Sequence, residues 1–305
     1  MAEVLICGAT GFIGSYCTSA FHDKGWAVVG AGRQIEPVYG KLPIGVRNFQ
    51  GDITDSKLLG DILNEHKPER IVFVAGPANV QQSFKDPVTD FRNHLLPLIA
   101  VLDQARRMQK PPGILLVSSA AVYGNPTAIP VSESAAVSPI SPYGYHKLQQ
   151  EILLDEFASI YGLPTCKARV FSTYGAGLRH LAIYEITKRT LAGDFKNFGT
   201  GRETRDYLHA SDVGAALECI ASSSEFNGEI INVASGQEQS IEKVAELIYE
   251  TLAITEKPVF DGTDLNGSPM RWCADVSHLQ KLGFVTKFSF EAGMKETVEW
   301  IKCNA

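Results

Sequence analysis

The chain lacks the features that would place it in a membrane or on a nucleic acid. No apolar run approaches the roughly 20 residues that a membrane helix needs, and the longest runs, such as residues 95–102, are far shorter. There is no long basic run, and the 305 residues carry a formal net charge of −6. This charge argues against a nucleic-acid or anionic-membrane partner, but it is compatible with a small anionic ligand bound by a few local arginines.

Cysteine patterns are missing as well. The six cysteines are scattered, with no Cys-x-x-Cys pair and no cluster of histidine and cysteine at ligand spacing. We therefore expect reduced thiols and no zinc or other metal site. The sequence starts Met-Ala-Glu and passes into an apolar segment, without a basic stretch followed by a hydrophobic one. These features predict a cytoplasmic protein.

What the chain does have is an alternation of apolar runs and helical patterns. Residues 3–7 are apolar, residues 12–24 show helical spacing, and residues 26–31 are apolar again, which predicts a βαβ unit. Further strands are predicted at 46–50, 70–75, 114–118 and 165–171, and helices at 55–66, 83–110 and 142–161. The strand segments are continuously apolar rather than alternating. This is typical of a parallel sheet covered on both faces, so the fold class is α/β.

A glycine motif lies between the first strand and the first helix. It consists of Gly8, Gly11 and Gly14 at a spacing of three. Such glycines let the backbone approach a pyrophosphate, which the free N–H groups and the dipole of the following helix stabilise. The alternative is a plain tight turn. The residues assigned to the cofactor here are Gly8, Thr10, Gly11, Phe12, Ile13 and Gly14.

The rhythm of the chain changes after residue 171. Helices are predicted at 181–191, 212–222, 241–252 and 290–302, one strand at 229–233 could join the main sheet, and the rest is rich in loops, including 199–201 and 261–269. We interpret residues 1–171 as a dinucleotide-binding domain, which 210–235 would join. Residues 172–305 then form mainly a smaller, interleaved substrate-binding lobe.

The end of the second strand bears on the choice of cofactor. An acidic residue there would bind the ribose hydroxyls of NAD, but the chain has Gly32 and Arg33. An arginine can pair with a 2′-phosphate, so NADP(H) is favoured and NAD(H) remains an alternative. Arg33 could instead be a solvated surface residue. Asp52 and Ile53 follow the third strand and are expected to flank the adenine, although Asp52 could equally cap a helix.

Other strand ends should meet at the same edge of the sheet, where doubly wound folds bind ligands. Ala75 and Gly76 follow the fourth strand, and Ser118 ends the fifth. All three are assigned to the cofactor site. Ser119, next along the chain, is a candidate for hydrogen bonding a substrate oxygen, and its alternative role is to cap a turn.

Tyr143 and Lys147 stand four residues apart, and Ser119 lies 24 residues before Tyr143. Ser141 and Pro142 are a helix start signal, so the tyrosine and the lysine fall on one helical face. A free phenol has a pKa of about 10, and we expect a nearby ammonium to favour the phenolate. Tyr143 would then act as a general acid or base. The alternative is an ordinary helix with a buried tyrosine and an exposed lysine.

Two arginines in the second lobe, Arg205 and Arg271, are candidates for binding a diphosphate, because the guanidinium fork suits phosphate oxygens. A surface salt bridge is the alternative for each.

Taken together, the chain resembles the extended short-chain dehydrogenases/reductases, and more narrowly the NAD-dependent epimerase/dehydratase family that acts on nucleotide-diphosphate sugars. The resemblance spans nearly the whole chain. It rests on residues 8–14 (GATGFIG), 117–124 (VSSAAVYG), 141–147 (SPYGYHK), 169–175 (RVFSTYG) and 204–209 (TRDYLH).

The resemblance implies a Rossmann-type sheet and a catalytic trio of Ser119, Tyr143 and Lys147. It also implies that Asn93 holds the backbone of the catalytic site near the cofactor, and that Arg205 and Arg271 bind the diphosphate of a nucleotide sugar. Family members usually dimerise through the helices that correspond to 83–110 and 142–161, so a homodimer is expected.

Two departures from the family pattern matter. The family's 4,6-dehydratases carry acidic residues directly after the catalytic serine or threonine, where this chain has Ala120 and Ala121. Family epimerases often carry Asn where Ser172 stands, and Ser172 is assigned to the substrate. The leading hypothesis is therefore an NADPH-dependent reductase of a 4-keto sugar nucleotide, with Tyr143 as proton donor. The alternatives are a nucleotide-sugar C4 epimerase with retained cofactor, and a non-catalytic NADP(H)-binding regulatory protein.

Overall fold

The computed structural model describes residues 2–263 and 267–305. Met1, at the start of the predicted first domain, and residues 264–266, in the predicted 261–269 loop, lie outside the described residues. The strands are β1 (Glu3–Cys7), β2 (Ala27–Gly32), β3 (Arg47–Gln50), β4 (Arg70–Phe73), β5 (Gly113–Ser119), β6 (Thr165–Val170), β7 (Ser172–Tyr174), β8 (Lys196–Asn197), β9 (Thr204–His209), β10 (Asn227–Val233), β11 (Glu238–Ser240) and β12 (Val259–Phe260). The α-helices are α1 (Phe12–Asp23), α2 (Ser56–His66), α3 (Val80–Lys85), α4 (Pro87–Ala105), α5 (Pro142–Tyr161), α6 (Leu181–Leu191), α7 (Ala210–Ser223), α8 (Ile241–Thr251), α9 (Ser277–Lys281) and α10 (Phe290–Asn304).

Seven strands form the main sheet, in the order β10-β6-β5-β4-β1-β2-β3. Every neighbouring pair is parallel. The chain runs outward in one direction from β1 to β3 and in the other from β4 to β6, so a crevice opens at the carboxyl ends of β1 and β4. The predicted Rossmann-type sheet is confirmed, and the predicted strand at 229–233 is part of β10 at its edge.

Both faces of the sheet are covered, which explains why its strands are continuously apolar. In β1, Val4 and Ile6 pack into a core shared with α1 and α7. Leu5 and Cys7 point to the other face and pack with α2, α4 and α5. Helices α1 and α7 pack closely at Gly214, which has no side chain. A Cβ at this position would lie only 2.6 Å from a backbone oxygen of α1. Helix α7 thus completes the helical layer that covers this face of the main sheet.

The second lobe is built on its own small sheets and core. The order is β11-β9-β7 in one sheet and β12-β8 in the other. Helices α6, α8 and α10 cover β7 and β9 with a separate apolar cluster. The sequence patterns did not predict these strands. Strands β7, β8, β11 and β12 have only two or three residues, which is too few to show a periodicity. Strand β9 has six residues but carries no continuous apolar run. The division at residue 171 stays a prediction.

The region predicted to be mostly helix, 83–110, is helical over most of its length but is not one continuous helix. Two helices occupy the region, and α3 begins at Val80, behind an Asn79 side chain that accepts a hydrogen bond from the Gln82 N–H. Asp86 separates the helices, caps α4 by accepting from the Thr89 N–H, and precedes Pro87 in the first position of α4. Proline lacks the N–H needed to continue α3 but fits the first turn of α4. Among residues 2–263 and 267–305, no helix is long and apolar enough to span a membrane.

Candidate active site

The glycine loop joins β1 to α1 by a tight turn in which the backbone at Gly14 packs directly against the backbone at Gly8. Gly8 has a φ of 93°, and a Cβ on Gly14 would lie 1.9 Å from the Gly8 carbonyl oxygen. Gly11 is the N-cap of α1, with no side chain capping the helix and no acidic residue in the first turn. The first N–H groups of α1, at Phe12 and Ile13, are therefore available to an anion. This geometry fits the pyrophosphate of a dinucleotide.

The loops after β1, β2 and β4 meet at this turn. A Cβ on Gly8 would lie 3.0 Å from Ala75 Cα, so the two predicted cofactor segments touch. The Thr10 hydroxyl donates a hydrogen bond of 3.2 Å to the Gln34 carbonyl, which ties the glycine loop to the segment after β2. Gly76 has a φ of 130°. The structure brings these predicted residues to one edge of the sheet.

Arg33 lies exposed at the end of β2. Its guanidinium forms no ion pair with a carboxylate in the described part of the chain. Hydrogen bonds from the Thr54 N–H and hydroxyl lower the pKa of Asp52, and the nearby Arg33 charge lowers it further. Arg33 and Asp52 are thus neighbours across the predicted adenosine site, and Ile53 is buried beside them.

The alternative role of Asp52 as a helix cap is wrong. Helix α2 is capped by Asp55, whose carboxylate accepts from the N–H groups of Lys57 and Leu58. Asp52 instead closes a turn, because its Oδ1 accepts from the Thr54 backbone N at 2.9 Å and from the Thr54 hydroxyl at 2.8 Å.

The three predicted catalytic residues come together at the carboxyl end of β5. The Ser141 hydroxyl caps α5 by accepting from the Gly144 N–H at 3.1 Å, and so fixes the first turn that carries Tyr143. Tyr143 is 9% exposed and Lys147 is 5% exposed. Ser119 lies close enough to the Tyr143 hydroxyl to lower the pKa of the phenol, and Ser119 Oγ accepts from the Ala121 N–H at 3.2 Å. The turn-capping role considered for Ser119 is therefore present, and its role toward a substrate oxygen stays a prediction.

The protein groups around Tyr143 do not lower its pKa on their own. Burial raises the pKa of Tyr143 to about 12; the Ser119 hydrogen bond opposes the shift, and the Asp90 charge adds to it. Burial also lowers the pKa of Lys147 to about 8, against the charges of Glu151 and Asp90. The phenol is consequently the resting form of Tyr143, since removal from water penalises its anion more than the hydrogen bond stabilises it.

The Lys147 ammonium is held by two hydrogen bonds, one to β5 and one within α5. Its Nζ donates to the Val117 carbonyl at 2.8 Å and to Gln150 Oε1 at 2.6 Å. An ammonium has three N–H donors, so one remains for a ligand. Gln150 in turn donates from Nε2 to the His94 carbonyl at 2.7 Å, which links α5 to α4 beneath the site.

Two predicted cofactor residues approach this edge of the sheet through their backbone, and their contacts with a cofactor stay a prediction. The Ser118 hydroxyl is buried and donates to Glu151 Oε1 at 2.5 Å, so its side chain does not face the cleft and only its backbone is at the sheet edge. Asn93 is half-buried on α4, and its carbonyl oxygen lies 3.7 Å from the position of a Cβ on Gly76. Asn93 is thus packed against the Gly76 loop through its backbone.

Arg205 and Arg271 lie close together at one side of the second lobe. Arg205 donates to the Pro269 carbonyl at 2.7 Å and to the Ser268 hydroxyl, and its guanidinium lies over the Trp272 ring at 5.4 Å. Arg271 is exposed and forms an ion pair with Glu238, as its alternative assignment describes. Ser172, the third predicted substrate residue, is half-buried at the start of β7.

Comparison with known proteins identifies the family to which this combination of glycine loop and Ser119–Tyr143–Lys147 site is related. The NAD dependent epimerase/dehydratase family matches residues 4–234. The chain belongs to this family. Arg205 lies inside the matched region and Arg271 lies beyond it.

Individual relatives are similar over their whole length. UDP-glucose 4-epimerase from Mycolicibacterium smegmatis is 28% identical over 314 residues, with 98% of each chain covered. The structure of UDP-glucose 4-epimerase with UDP-glucose from Thermotoga maritima has a TM-score of 0.89 at 25% identity and covers 99% of each chain. UDP-glucose 4-epimerase from Thermus thermophilus in complex with NAD has a TM-score of 0.88 at 25% identity, covering 99% of this chain and 100% of that one. The predictions of the fold class and of an enzyme of the extended short-chain dehydrogenase/reductase family are confirmed.

Within the epimerase/dehydratase family, the segment after Ser119 distinguishes this chain. Ala120 and Ala121 form a short 3₁₀ turn with Val122, and all three are buried. A Cβ on Gly144 would lie 2.7 Å from the Ala121 carbonyl oxygen, so α5 packs directly on this turn. Methyl groups fill the positions at which the family resemblance predicts the acids of a 4,6-dehydratase, and they can neither donate nor accept a proton.

Three buried polar residues near the site were missed by sequence reasoning. They are Asp90 and His94 on α4 and His146 on α5. His146 directly precedes Lys147 and lies three residues after Tyr143, which was the available signal. Periodicity alone does not reveal that it faces inward, because a histidine is as common at a surface as in a core.

Proposed function

We propose that the protein is an NAD(P)-dependent nucleotide-sugar 4-epimerase. The observation that carries the proposal is the placement of Tyr143 beside Ser119 at the same sheet edge as an uncapped α1 and the Lys147 ammonium. Full-length similarity to UDP-glucose 4-epimerases supports the epimerase hypothesis over the 4-keto reductase that the sequence favoured. The bound dinucleotide would supply a hydride acceptor and donor.

Tyr143 would exchange the proton of the sugar 4-hydroxyl. In its phenolate form Tyr143 would take the proton of the sugar 4-hydroxyl as C4 is oxidised, and in the resulting phenol form it would return that proton when C4 is reduced. The buried phenol has a raised pKa and is the form that donates, so oxidation requires Tyr143 to have lost its proton first, which the positive charge of a bound oxidised nicotinamide would favour. Ser119 would orient that oxygen, and the remaining N–H of Lys147 would hold a ribose hydroxyl of the cofactor.

Inversion at C4 requires the hydride to return to the opposite face of the sugar. The sugar must therefore turn within the site while the nucleotide stays anchored. Arg205 and Arg271 would bind the diphosphate, and Arg271 would exchange its ion pair with Glu238 for this contact. An exposed ion pair of this kind contributes little to stability, so the exchange costs little. Ser172 would contact the sugar.

The test is turnover of sugar nucleotides by the purified protein. We expect conversion of UDP-glucose to its C4 epimer with no net change in cofactor, measured by chromatography of the sugar nucleotides and by nicotinamide absorbance. Stoichiometric consumption of NADPH with a 4-keto sugar nucleotide would instead support the reductase. Cofactor binding without conversion of any UDP- or dTDP-sugar would support the regulatory protein.

Arg33 is proposed to extend cofactor use to NADP(H), since an exposed guanidinium directly after β2 is suited to pairing with a 2′-phosphate. Replacing Arg33 with Ala should weaken NADPH binding by about tenfold or more, which is about 1.4 kcal/mol, and leave NADH binding nearly unchanged. Calorimetric titration of both cofactors measures this. Lys41→Ala, an exposed basic residue of the same loop, is the matched control. Equal losses for both cofactors in the Arg33 variant would contradict the assignment.

A homodimer is proposed from the outer face of α4 and α5. Large apolar side chains are exposed along both helices. On α4 they are Val88, Phe91, Leu96 and Ile99, and on α5 they are Tyr145, Ile152 and Ile160. Contiguous exposed apolar side chains of this kind mark association surfaces. A second copy that packed its own α4 and α5 against them would bury this face.

A further inference from the structure

A cluster of buried ionisable side chains lies behind Tyr143, between α4 and α5. Its members are Asp90, which is 6% exposed, His94, which is 1% exposed, and His146, which is 8% exposed. Buried ionisable groups are costly unless they are paired, and they are concentrated at functional sites. The proposed reaction uses Ser119, Tyr143 and Lys147 and assigns no role to this cluster.

The contacts within the cluster centre on the Asp90 carboxylate. Oδ2 of Asp90 lies 2.5 Å from His146 Nδ1, and Oδ1 lies 3.7 Å from His94 Nε2. In the part of the chain that the structure describes, no lysine or arginine nitrogen lies within 4.0 Å of this carboxylate. Its nearest counter-charges are therefore imidazoles, whose charge changes near neutral pH.

His94 joins the cluster to the catalytic tyrosine. Its ring packs edge-on against the Tyr143 ring with the centroids 5.5 Å apart. A Cβ on Gly76 would lie 2.5 Å from His94 Nδ1, so the ring also supports the predicted cofactor loop. Burial, followed by the charges of Lys147 and His146, lowers the pKa of His94 to about 3. His94 is consequently neutral and adds no charge of its own.

The charge of Asp90 acts on both catalytic groups of α5, raising the pKa of Tyr143 and of Lys147. The other ionisable groups that face this region are few. They are Glu151 on α5, which is paired with Arg169 of β6, and the exposed Arg92 on α4 together with Lys85 and Asp86 at the end of α3. Glu151 is paired with Arg169 yet raises the pKa of Lys147 more than Asp90 does, whereas Asp90 is the carboxylate whose charge acts on Tyr143.

We propose that Asp90 and His146 are positioning residues that control proton exchange at Tyr143. With His146 protonated the pair carries no net charge, and with His146 neutral it places one negative charge behind Tyr143 and Lys147. The pair thereby holds Lys147 in its ammonium form and sets the pH at which the phenol releases its proton. This inference rests on the proposed catalytic role of Tyr143.

The first test is the pH profile of turnover in Asp90→Asn. Loss of the negative charge should lower the pKa of both Tyr143 and Lys147, so both limbs of a bell-shaped kcat profile should move to lower pH, by roughly one unit. Asp61→Asn, an exposed carboxylate on α2, is the matched control and should leave the profile in place. A purely structural role for Asp90 would reduce the height of the profile without moving it, and that result would overturn the proposal.

His146→Gln is the second variant, and it keeps the proposal testable if Asp90→Asn does not fold. Glutamine can still donate a hydrogen bond to Asp90 but carries no charge, so the negative charge stays uncompensated. The profile should then move to higher pH, opposite to the shift in Asp90→Asn. An unmoved profile, or shifts in the same direction in both variants, would contradict the proposed pair.

A readout without substrate separates this inference from the proposed function. The phenolate absorbance of the free protein, with Tyr143→Phe as the blank, reports the titration of Tyr143 alone. Asp90→Asn should lower the midpoint of that titration whichever sugar nucleotide the protein uses. A lowered midpoint without sugar turnover would leave the charge pair standing and reject the epimerase, whereas an unchanged midpoint in an active enzyme would reject the charge pair alone.

Discussion

Replacing Tyr143 with Phe is expected to lower turnover on the order of 10²-fold or more, because general acid–base catalysis contributes about that much. Phenylalanine keeps the edge-on contact with His94 and the burial of the ring. It removes only the hydroxyl that lies beside Ser119. Steady-state kinetics of sugar conversion measure the loss, while cofactor titration should give an unchanged dissociation constant.

Tyr145 provides the matched control. It lies on the same helix but is 53% exposed, so Tyr145→Phe should retain nearly normal turnover. If Tyr143→Phe also kept normal turnover with intact cofactor binding, the tyrosyl oxygen would have no part in the chemistry and the proposed mechanism would be wrong.

Gly14→Ala should strongly impair the cofactor site. A Cβ at this position would lie 1.9 Å from the Gly8 carbonyl oxygen, so either the loop or the first turn of α1 must move. Overpacking of this kind costs about 1–3 kcal/mol. We expect the free energy of unfolding in urea to fall by that amount. The dissociation constant for NAD should also rise by about tenfold or more, since tenfold is about 1.4 kcal/mol.

Gly60→Ala tests whether the effect belongs to the position rather than to the substitution. Gly60 also lies in a helix, α2. A Cβ added there would have as its nearest neighbour the Gln104 side-chain oxygen, at 3.4 Å. In a helix interior alanine is more favourable than glycine. This variant should therefore be at least as stable as the parent and bind NAD normally. Tight NAD binding by Gly14→Ala would show that the loop geometry is not required.

The parts of the fold and site that the sequence predicts well depend on local signals. Helix α5 runs from Pro142 to Tyr161 as predicted, because Ser141 caps its start and Gly162, with a φ of 69°, ends it. The glycine loop is likewise encoded within seven consecutive residues. Such signals act over one or two turns of chain, so they need no knowledge of tertiary packing.

The features that the sequence could not predict depend on contacts between distant segments. Asp90 and His146 are 56 residues apart in the chain, and nothing local indicates that they face each other. The resting charge of Tyr143 depends on how completely the packing of α3 and α4 against α5 excludes water from it. The start of α2 behind its Asp55 cap, in contrast, follows a local signal, and a helix was predicted from residue 55.

The interleaved path of the chain restricts how this enzyme could be rebuilt. After β6 the polypeptide leaves the main sheet, and it returns as α7, which packs on α1, and as β10, which pairs with β6. A fragment that stops near residue 171 would leave Phe21 and the rest of that apolar layer uncovered. Exchanging whole lobes between relatives would therefore produce insoluble chimeras, and a change of specificity would have to come from grafting individual loops.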